Sequence, residues 1–351
     1  MKSRKVVSLT DIDRILIVKL RAIGDVLLST VVIKNLRLAY PGAEITFLTE
    51  KASREVVDGN SALSSLIVLD PATTTAAGLI FEIRRKRFDL VIDLFGNPRS
   101  ALLTFLSGGR HRVGYRFGWR RFCYNLVVEP RGGKVHNTEF NLDALRAIGV
   151  PTSDSSPVFP VDDGANRFAE AFFSEQGLRG RAIIAINAGG GWYTKRWGLR
   201  RFAEIGRKLC DRYNAVVLIL WGPGEREDAE SIFSLMQSGG VVIPAATLKE
   251  LAALLSRCTA LVTNDSGPMH IAAAVGTPVL ALFGPTNPEL QGPVGERHEV
   301  VQNETLLCLG CNYTSCPIGN PCMEELSVEA VLAGFHRLAE KNQLFELARQ
   351  P

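Results

Sequence analysis

The fold is decided by residues 260–288, whose sequence is ALVTNDSGPMHIAAAVGTPVLALFGPTNP. The apolar residues at both ends predict buried strands, and residues 268–275 predict a short helix between them. Ser266 and Gly267 stand before this helix and Gly276 stands after it, in the order typical of helix starts and stops. The pattern therefore predicts a strand–helix–strand unit of a parallel sheet.

The polar turns of this unit allow two interpretations. In the first, residues 264–267 (NDSG) only cap the helix. In the second, Gly267 lets a ligand phosphate approach the N–H groups and the positive end of the helix. His270 and a second polar turn, residues 284–287, favour the second interpretation, because open α/β sheets bind ligands at the carboxyl ends of their strands.

Composition and length indicate a two-domain globular protein. The chain has 351 residues, of which 46% are hydrophobic and 22% charged, and this length exceeds that of most single domains. There is no run of 18 apolar residues and no apolar segment typical of a signal peptide, so we expect a cytoplasmic protein. Residues 1–160 carry 23 Lys and Arg against 15 Asp and Glu. This basic half indicates an anionic partner, with scattered solvated charges as the alternative.

Strands alternate with helices in both halves of the chain, which predicts an α/β fold of two doubly wound, Rossmann-like domains facing a cleft. A linker rich in Pro, Ser and Asp occupies residues 149–164. The predicted organisation is a domain at 1–160, a second domain at 161–327 that includes a cysteine-rich loop at 308–322, and a C-terminal helix within 328–351.

Asp25 follows the first predicted strand. It is either a helix N-cap or a carboxylate at the carboxyl edge of the sheet, where it can act as a general base. Gly24 stands alone at this turn, whereas a dinucleotide site needs G-x-G-x-x-G; a P-loop Gly-Lys-Ser/Thr is also missing. The turn therefore argues against dehydrogenases and P-loop enzymes.

Residues 107–137 mix basic and aromatic side chains. Such a segment can stack on the bases of nucleic acid, grip a phosphorylated sugar or lipid headgroup through guanidinium groups, or form a solvated loop. No nucleic-acid motif accompanies it, so phosphate recognition is favoured.

In the second domain, residues 188–197 (AGGGWYTKRW) follow a predicted strand. The glycines free the backbone, and Thr194 and Lys195 supply a hydroxyl and a cation, a combination that fits a diphosphate. Glu225 either caps the next helix or accepts hydrogen bonds from a ribose diol. Lys195, Glu225, Ser266 and His270 all follow strand ends of one domain, and this convergence is the strongest indication of a site.

Four clustered cysteines have the spacing C-x2-C-x4-C-x5-C. They are consistent with a zinc or iron–sulfur site, with a disulfide, or with free thiols in a reducing cytoplasm. The four residues are Cys308, Cys311, Cys316 and Cys322.

Together these motifs resemble glycosyltransferase family 9, the ADP-heptose:lipopolysaccharide heptosyltransferases, over roughly residues 14–345. The motifs are Arg21 with Gly24-Asp25, Lys195 with Trp197, NDSGPMH at 264–270 and FGPT at 283–286. The resemblance implies GT-B architecture, in which the N-terminal domain takes the acceptor, the C-terminal domain takes the sugar nucleotide and the final helix crosses back to the first domain.

The resemblance also implies residue roles, with Asp25 as the catalytic base. The residues expected to bind the donor are Gly24, Thr194, Lys195, Glu225, Asp265, Ser266, Gly267, His270 and Thr286. The residues expected to bind the acceptor are Arg21, Arg99, Arg112, Arg116 and Arg120.

The function so implied is inverting transfer of heptose from ADP-heptose to a hydroxyl of the lipopolysaccharide inner core, with no cofactor required. The expected acceptor is a phosphorylated core or lipid A, reached by peripheral contact with the cytoplasmic face of the inner membrane, and no nucleic acid is expected. The alternative is a non-catalytic nucleotide- or nucleic-acid-binding module of the same fold, with a structural metal held by the cysteines. The joint presence of Asp25, Lys195 and Asp265 favours the enzyme.

Overall fold

The computed structural model describes residues 9–345. The chain divides into two compact units, Met1–Pro160 and Val161–Pro351, and each unit contains one parallel six-stranded sheet. The predicted α/β alternation is confirmed. Among the described residues, no helix is both long enough and apolar enough to cross a membrane.

The sheet of the first unit has the strand order β3-β2-β1-β4-β5-β6. Its strands are β1 (Arg14–Val18), β2 (Glu44–Glu50), β3 (Ser65–Leu69), β4 (Leu90–Asp93), β5 (His111–Tyr115) and β6 (Leu126–Val128). Its helices are α1 (Ile23–Ala39), α2 (Ala76–Lys86), α3 (Pro98–Leu106) and α4 (Asn137–Arg146), with 3₁₀ segments at Lys51–Val56 and Gly118–Cys123.

The sheet of the second unit has the order β12-β11-β10-β7-β8-β9. Its strands are β7 (Ile183–Asn187), β8 (Val216–Leu220), β9 (Gly240–Val242), β10 (Ala260–Asn264), β11 (Val279–Leu282) and β12 (Glu299–Val301). Its helices are α5 (Asp163–Glu175), α6 (Leu199–Tyr213), α7 (Arg226–Met236), α8 (Leu248–Leu255), α9 (Gly267–Ala274), α10 (Pro288–Gln291), α11 (Pro321–Glu324) and α12 (Val328–Asn342), with a 3₁₀ turn at Tyr193–Lys195.

Both sheets have the same topology. Counted within its own unit, each runs 3-2-1-4-5-6, so the strand order reverses between the first and fourth strands. These strands are β1 and β4 in the first unit and β7 and β10 in the second, and each pair is parallel. Ligands of doubly wound folds bind beside the carboxyl ends of such a strand pair. The topology therefore marks one candidate position in each unit.

Two sheet strands lie inside the basic segment 107–137, where the sequence pattern predicted none. Strand β5 begins with His111 and Arg112, so its apolar run is too short to stand out. The Arg112 guanidinium donates to the carbonyls of Gly109 and Cys123, at 2.8 and 3.1 Å. The charged side chain is thereby accommodated next to the sheet, and the segment is not a simple loop.

The core of the second unit is built around Trp197. Its buried ring packs edge-on against Phe202, with centroids 5.2 Å apart, and its Nε1 donates to the Leu326 carbonyl at 2.7 Å. Helix α12 buries Val331 and Phe335 in the same core. This helix belongs to the second unit, and its expected crossing to the first domain stays a prediction. The predicted helix was too long at its C-terminal end, because α12 ends at Asn342 and Gln343 caps it in the left-handed backbone region.

Candidate active site

Three polar chain segments meet at the carboxyl edge of the second sheet. Asn187 ends β7 and pairs with Thr263 of β10, while Asn264 at the end of β10 pairs with Leu282 of β11. The Asn187 amide donates to the hydroxyls of Thr263 and Ser266, at 3.0 and 2.9 Å. Parallel pairing therefore brings three segments to one place: the glycine loop (residues 188–197), the NDSG turn (residues 264–267) and the FGPT turn (residues 283–286).

Lys195 and Asp265 form the charged centre of this edge. The Lys195 Nζ lies 2.6 Å from the Asp265 Oδ2, and the Thr286 hydroxyl donates to the same oxygen at 2.6 Å. The ammonium also lies 4.5 Å from the centre of the Trp192 ring. The Asp265 side chain is 7% exposed and that of Lys195 17%. The carboxylate thus holds a partly accessible cation in place, and such a cation suits a phosphate oxygen.

The N-terminus of α9 completes this seat. Ser266 has extended backbone geometry, and its side chain makes no capping hydrogen bond to the helix. The predicted side-chain cap is therefore not formed, because the Ser266 hydroxyl accepts from Asn187 and donates to the Asn264 carbonyl at 3.3 Å. In the first turn of α9, Pro268 has no N–H and the Met269 N–H donates to the Ser266 carbonyl at 3.2 Å. Gly267 therefore supplies the N–H that is available to an anion, which the helix dipole also attracts.

Glu225 braces the glycine loop. Its Oε1 accepts from the Gly190 N–H at 3.2 Å and from Arg196 at 3.3 Å, and its Oε2 accepts from the Gly222 N–H at 3.1 Å. A Cβ atom at Gly189 would lie 2.2 Å from the Glu225 Oε2, so the close approach requires glycine. Glu225 occupies the N-cap position of α7, but its side chain makes no capping hydrogen bond to that helix. Its ribose contact stays a prediction.

Thr194 and His270 are buried in the structure. The Thr194 hydroxyl donates to the Tyr313 carbonyl at 2.9 Å, so it anchors the cysteine-rich segment beside the glycine loop. His270 is 7% exposed in the first turn of α9. The expected contacts of both residues with a donor stay predictions.

The predicted metal site is not formed. No group of three or more His, Cys, Asp or Glu within residues 9–345 is placed to hold a metal ion, and all seven cysteines are free thiols. Burial, together with the nearby cysteines, raises the pKa of Cys322 to about 11, and its thiol lies 3.6 Å from the Asn320 Oδ1 as a donor. The structure forms no disulfide among the four cysteines.

Asp25 belongs to the first unit and lies inside α1 rather than at its N-cap. The helix begins at Ile23, so Gly24 and Asp25 are both in its first turn. The Asp25 Oδ1 accepts from the Asn137 side chain of α4 at 2.7 Å, and the Asn141 amide donates to the Asn137 Oδ1 at 3.3 Å. Two asparagines of one helix thus orient the carboxylate, and sequence reasoning missed both.

Two buried ionisable residues, Lys19 and Asp93, lie at the carboxyl ends of β1 and β4. Burial lowers the pKa of Lys19, and the negative charges of Asp25 and Asp93 raise it by a smaller amount. The Lys19 Nζ donates to the Leu94 carbonyl at 3.1 Å. Burial raises the pKa of Asp93, although hydroxyls of Tyr124 and Ser100 donate to it at 2.7 and 2.9 Å. A lysine within the apolar run ILIVKL was the available signal for this pair.

Four of the five arginines expected at the acceptor contact other parts of the first unit. Arg99 lies 3.5 Å from Glu50, Arg116 lies 2.6 Å from Glu129, and Arg112 bonds the two carbonyls described above. Arg120 donates to the Gly96 carbonyl at 2.5 Å and lies over the Phe117 ring. Arg21 is exposed beside α1. An acceptor role for the five arginines stays a prediction.

Comparison with known proteins identifies the family of the chain. Residues 77–320 match the model of glycosyltransferase family 9 (heptosyltransferase). The chain is 27% identical over 320 residues to lipopolysaccharide heptosyltransferase 1 of Pseudomonas aeruginosa, covering 86% of this chain and 87% of that protein.

Two solved structures are similar in fold. A glycosyl transferase family 9 protein from Veillonella parvula superposes with a TM-score of 0.83 at 26% identity, over 95% of this chain and 99% of the other. The Escherichia coli heptosyltransferase WaaC with ADP-2-deoxy-2-fluoro heptose gives 0.70 at 20% identity, over 94% and 99%. The two parallel sheets thus have GT-B architecture. The chain is a glycosyltransferase and belongs to glycosyltransferase family 9, the heptosyltransferase family.

Proposed function

We propose that this protein is an inverting glycosyltransferase that moves a heptose from ADP-heptose to a hydroxyl of the lipopolysaccharide inner core. The observation that carries the proposal is the cluster of Lys195, Asp265 and Thr286 beside the N-terminus of α9. The Pseudomonas relative is named for heptose transfer to lipopolysaccharide, and the similar WaaC structure contains an ADP-heptose analogue.

The donor diphosphate would bind at this cluster in the second unit. The Lys195 ammonium and the N–H of Gly267 would bind its oxygens, while Asp265 and Thr286 keep the ammonium in position. Negative charge grows on the diphosphate as ADP departs, so fixed positive groups there stabilise the transition state more than the ground state. The ammonium and this N–H would stabilise the departing ADP.

The acceptor would bind to the first unit, with Asp25 as its general base. Because the Oδ1 of Asp25 accepts from Asn137, Oδ2 is the oxygen that would take the proton of the acceptor hydroxyl. The acceptor oxygen forms a bond to the anomeric carbon while the bond from that carbon to the ADP oxygen breaks. A single displacement of this kind inverts the anomeric configuration.

The acceptor class follows from the charge of the first half of the chain. A phosphorylated core or lipid A suits the arginine-rich segment, for which Arg21, Arg99, Arg112, Arg116 and Arg120 remain the proposed contacts. Since such an acceptor is anchored in a membrane, we also propose that the protein works at the cytoplasmic face of the inner membrane.

The proposal is tested by incubating the purified chain with ADP-heptose and a panel of truncated lipopolysaccharides. We expect one acceptor to gain the mass of one heptose as an equal amount of ADP is released. Tight binding of ADP-heptose without turnover on any acceptor would instead identify a non-catalytic nucleotide-binding module.

A further inference from the structure

One face of the first unit concentrates exposed apolar side chains. Five large apolar residues on α2, α3 and the 3₁₀ segment Gly118–Cys123 are at least half exposed. They are Phe81 at 69%, Leu102 at 50%, Phe105 at 50%, Trp119 at 58% and Phe122 at 71%. Single exposed apolar residues are ordinary, but a group on neighbouring elements usually marks an interaction site. We call these five residues the aromatic face.

The three elements lie next to one another. Leu79 of α2 and Leu103 of α3 belong to one core cluster, so both helices cover the same side of the sheet. Helix α3 also packs on the 3₁₀ segment, where Ala101 and Cys123 share a smaller cluster.

The spacing of the exposed residues points them to one side of each element. Leu102 and Phe105 are three residues apart on α3, and residues at this spacing are neighbours on a helix surface. Trp119 and Phe122 are also three apart, and side chains at that spacing eclipse in a 3₁₀ helix.

Arginines surround the aromatic face. The Arg112 guanidinium lies 5.8 Å from the centre of the Phe105 ring, and that of Arg121 lies 4.7 Å from the Phe122 ring. Arg84 donates to the Leu106 carbonyl at 3.5 Å, which links α2 to the end of α3. A surface groove beside Phe81 is lined otherwise only by arginines, namely Arg14, Arg84, Arg85 and Arg87. Glu82 is the acidic neighbour on α2, and the Glu44 carboxylate lies 3.6 Å from the Arg14 Nε.

We propose that the aromatic face docks on an anionic phospholipid bilayer. Exposed Trp, Phe and Leu side chains enter the boundary between headgroups and acyl chains, while the surrounding guanidinium groups meet lipid phosphates. The density of arginines on several sides of the rings favours a uniformly anionic partner over a protein surface of mixed charge. This inference rests on the proposed function for its membrane-anchored acceptor. The aromatic face is the surface that would bring the enzyme to that acceptor.

The experiment is co-sedimentation of the full chain with vesicles of phosphatidylcholine alone and of phosphatidylcholine mixed with phosphatidylglycerol. We expect the wild type to bind the anionic vesicles at least about tenfold more tightly than the neutral ones. The double variant Trp119→Ser/Phe122→Ser removes two large anchors and should lose about tenfold in binding. The matched control is Phe233→Ser/Leu235→Ser on α7, whose side chains are similarly exposed at 49% and 44%; it should stay within about twofold of the wild type.

Three outcomes would overturn the proposal: a wild type that stays in the supernatant, equal binding to both vesicle types, or equal losses in the two double variants. Binding to a single-stranded oligonucleotide in place of vesicles would overturn it as well, in favour of nucleic acid. Should Trp119→Ser/Phe122→Ser unfold at a lower temperature, Phe81→Ser on α2 repeats the test on a separate element.

A transfer assay with a delipidated, water-soluble acceptor separates this inference from the proposed function. Phe81→Ser should keep the wild-type rate there, because α2 lies outside the segment 107–137 with its proposed acceptor contacts and the acceptor no longer has to be reached on a membrane. A wild type that binds anionic vesicles and transfers nothing would contradict the proposed function and leave the docking surface standing.

Discussion

At Asp25 the two carboxylate oxygens have different surroundings. Oδ1 accepts from the Asn137 amide at 2.7 Å, whereas Oδ2 lies 3.5 Å from the Ala22 N–H, a long and weak contact. Asn141 donates to the Asn137 oxygen, which fixes the direction of the Asn137 amide. The local geometry therefore leaves Oδ2 as the oxygen available to a proton.

We predict that Asn137→Ala lowers kcat about tenfold, because the Asp25 carboxylate loses the hydrogen bond that orients it. The measurement is kcat and the KM for the acceptor. Asn125→Ala is the control, since that amide bonds the backbone of Arg110 and Arg112. Equal kcat values for Asn137→Ala and the control would mean that the asparagine only supports the fold.

We predict that Lys195→Ala lowers kcat/KM for the donor by about 10²-fold, the usual effect of removing one group that stabilises developing charge. It also leaves Asp265 buried without its cation. Thr286→Val keeps the cation and removes one hydrogen bond to Asp265, so its loss should be nearer tenfold. Initial rates at varied ADP-heptose concentration give kcat/KM for both variants, and calorimetry gives their affinity for ADP. Values close to those of the wild type in both variants would exclude diphosphate binding at Lys195.

At the scale of elements, His298 joins the start of β11 to the chain before β12. Its Nδ1 accepts from the Val279 N–H at 3.2 Å and its Nε2 lies 3.1 Å from the Val294 carbonyl. These partners require the neutral ring with hydrogen on Nε2. Burial lowers the pKa of His298 to about 4, although the hydrogen bond to the Val294 carbonyl acts to raise it.

We predict that acid destabilises the second unit through this histidine. The unfolded chain binds the proton near pH 6.5 and the folded chain only near pH 4, so stability is fully present above pH 6.5 and falls as the pH drops through this window. The loss between pH 7 and pH 5 is about 2 kcal/mol. Urea unfolding between pH 7 and pH 5 should show this loss of unfolding free energy for the wild type. For His298→Gln the unfolding free energy should depend less steeply on pH. Identical slopes would rule out His298 as the cause.

The sequence pattern was most informative for elements with long apolar runs. Strands β1, β7 and β10 were all predicted, because each is fully or almost fully buried. Strands β5 and β6 were missed, since arginine and histidine open β5 and β6 has only three residues. Asp25 is not the N-cap that the sequence allowed, because α1 begins at Ile23 and neither Ile23 nor Gly24 carries a start signal in the sequence.

At the scale of the whole molecule, the two units repeat one topology and place ionisable groups at equivalent strand ends. In the first unit Lys19 and Asp93 lie at the ends of the first and fourth strands of the sheet; in the second, Lys195 and Asp265 follow the corresponding strands. The first pair is buried, whereas Lys195 is partly accessible. The same topology thus places two buried ionisable groups in one unit and a candidate ligand-binding site in the other.

Motif spacing was enough to predict that Lys195, Asp265 and Thr286 lie at one sheet edge, since parallel strands align their carboxyl ends. It could not predict that Thr194 turns to the Tyr313 carbonyl or that Glu225 braces the glycine loop. Those contacts depend on segments far apart in sequence. The spacing of the four cysteines likewise says nothing of the burial of Cys322.

The central claim is that a base in the first unit and a diphosphate seat in the second together transfer heptose from ADP-heptose. The most direct measurement compares the wild type with Asp25→Asn, following ADP release and heptosylated lipopolysaccharide in the same reaction and measuring ADP affinity separately. We predict equal amounts of ADP and product from the wild type, and a rate at least about 10³-fold lower from Asp25→Asn with unchanged ADP affinity. Transfer by Asp25→Asn at the wild-type rate would contradict the account.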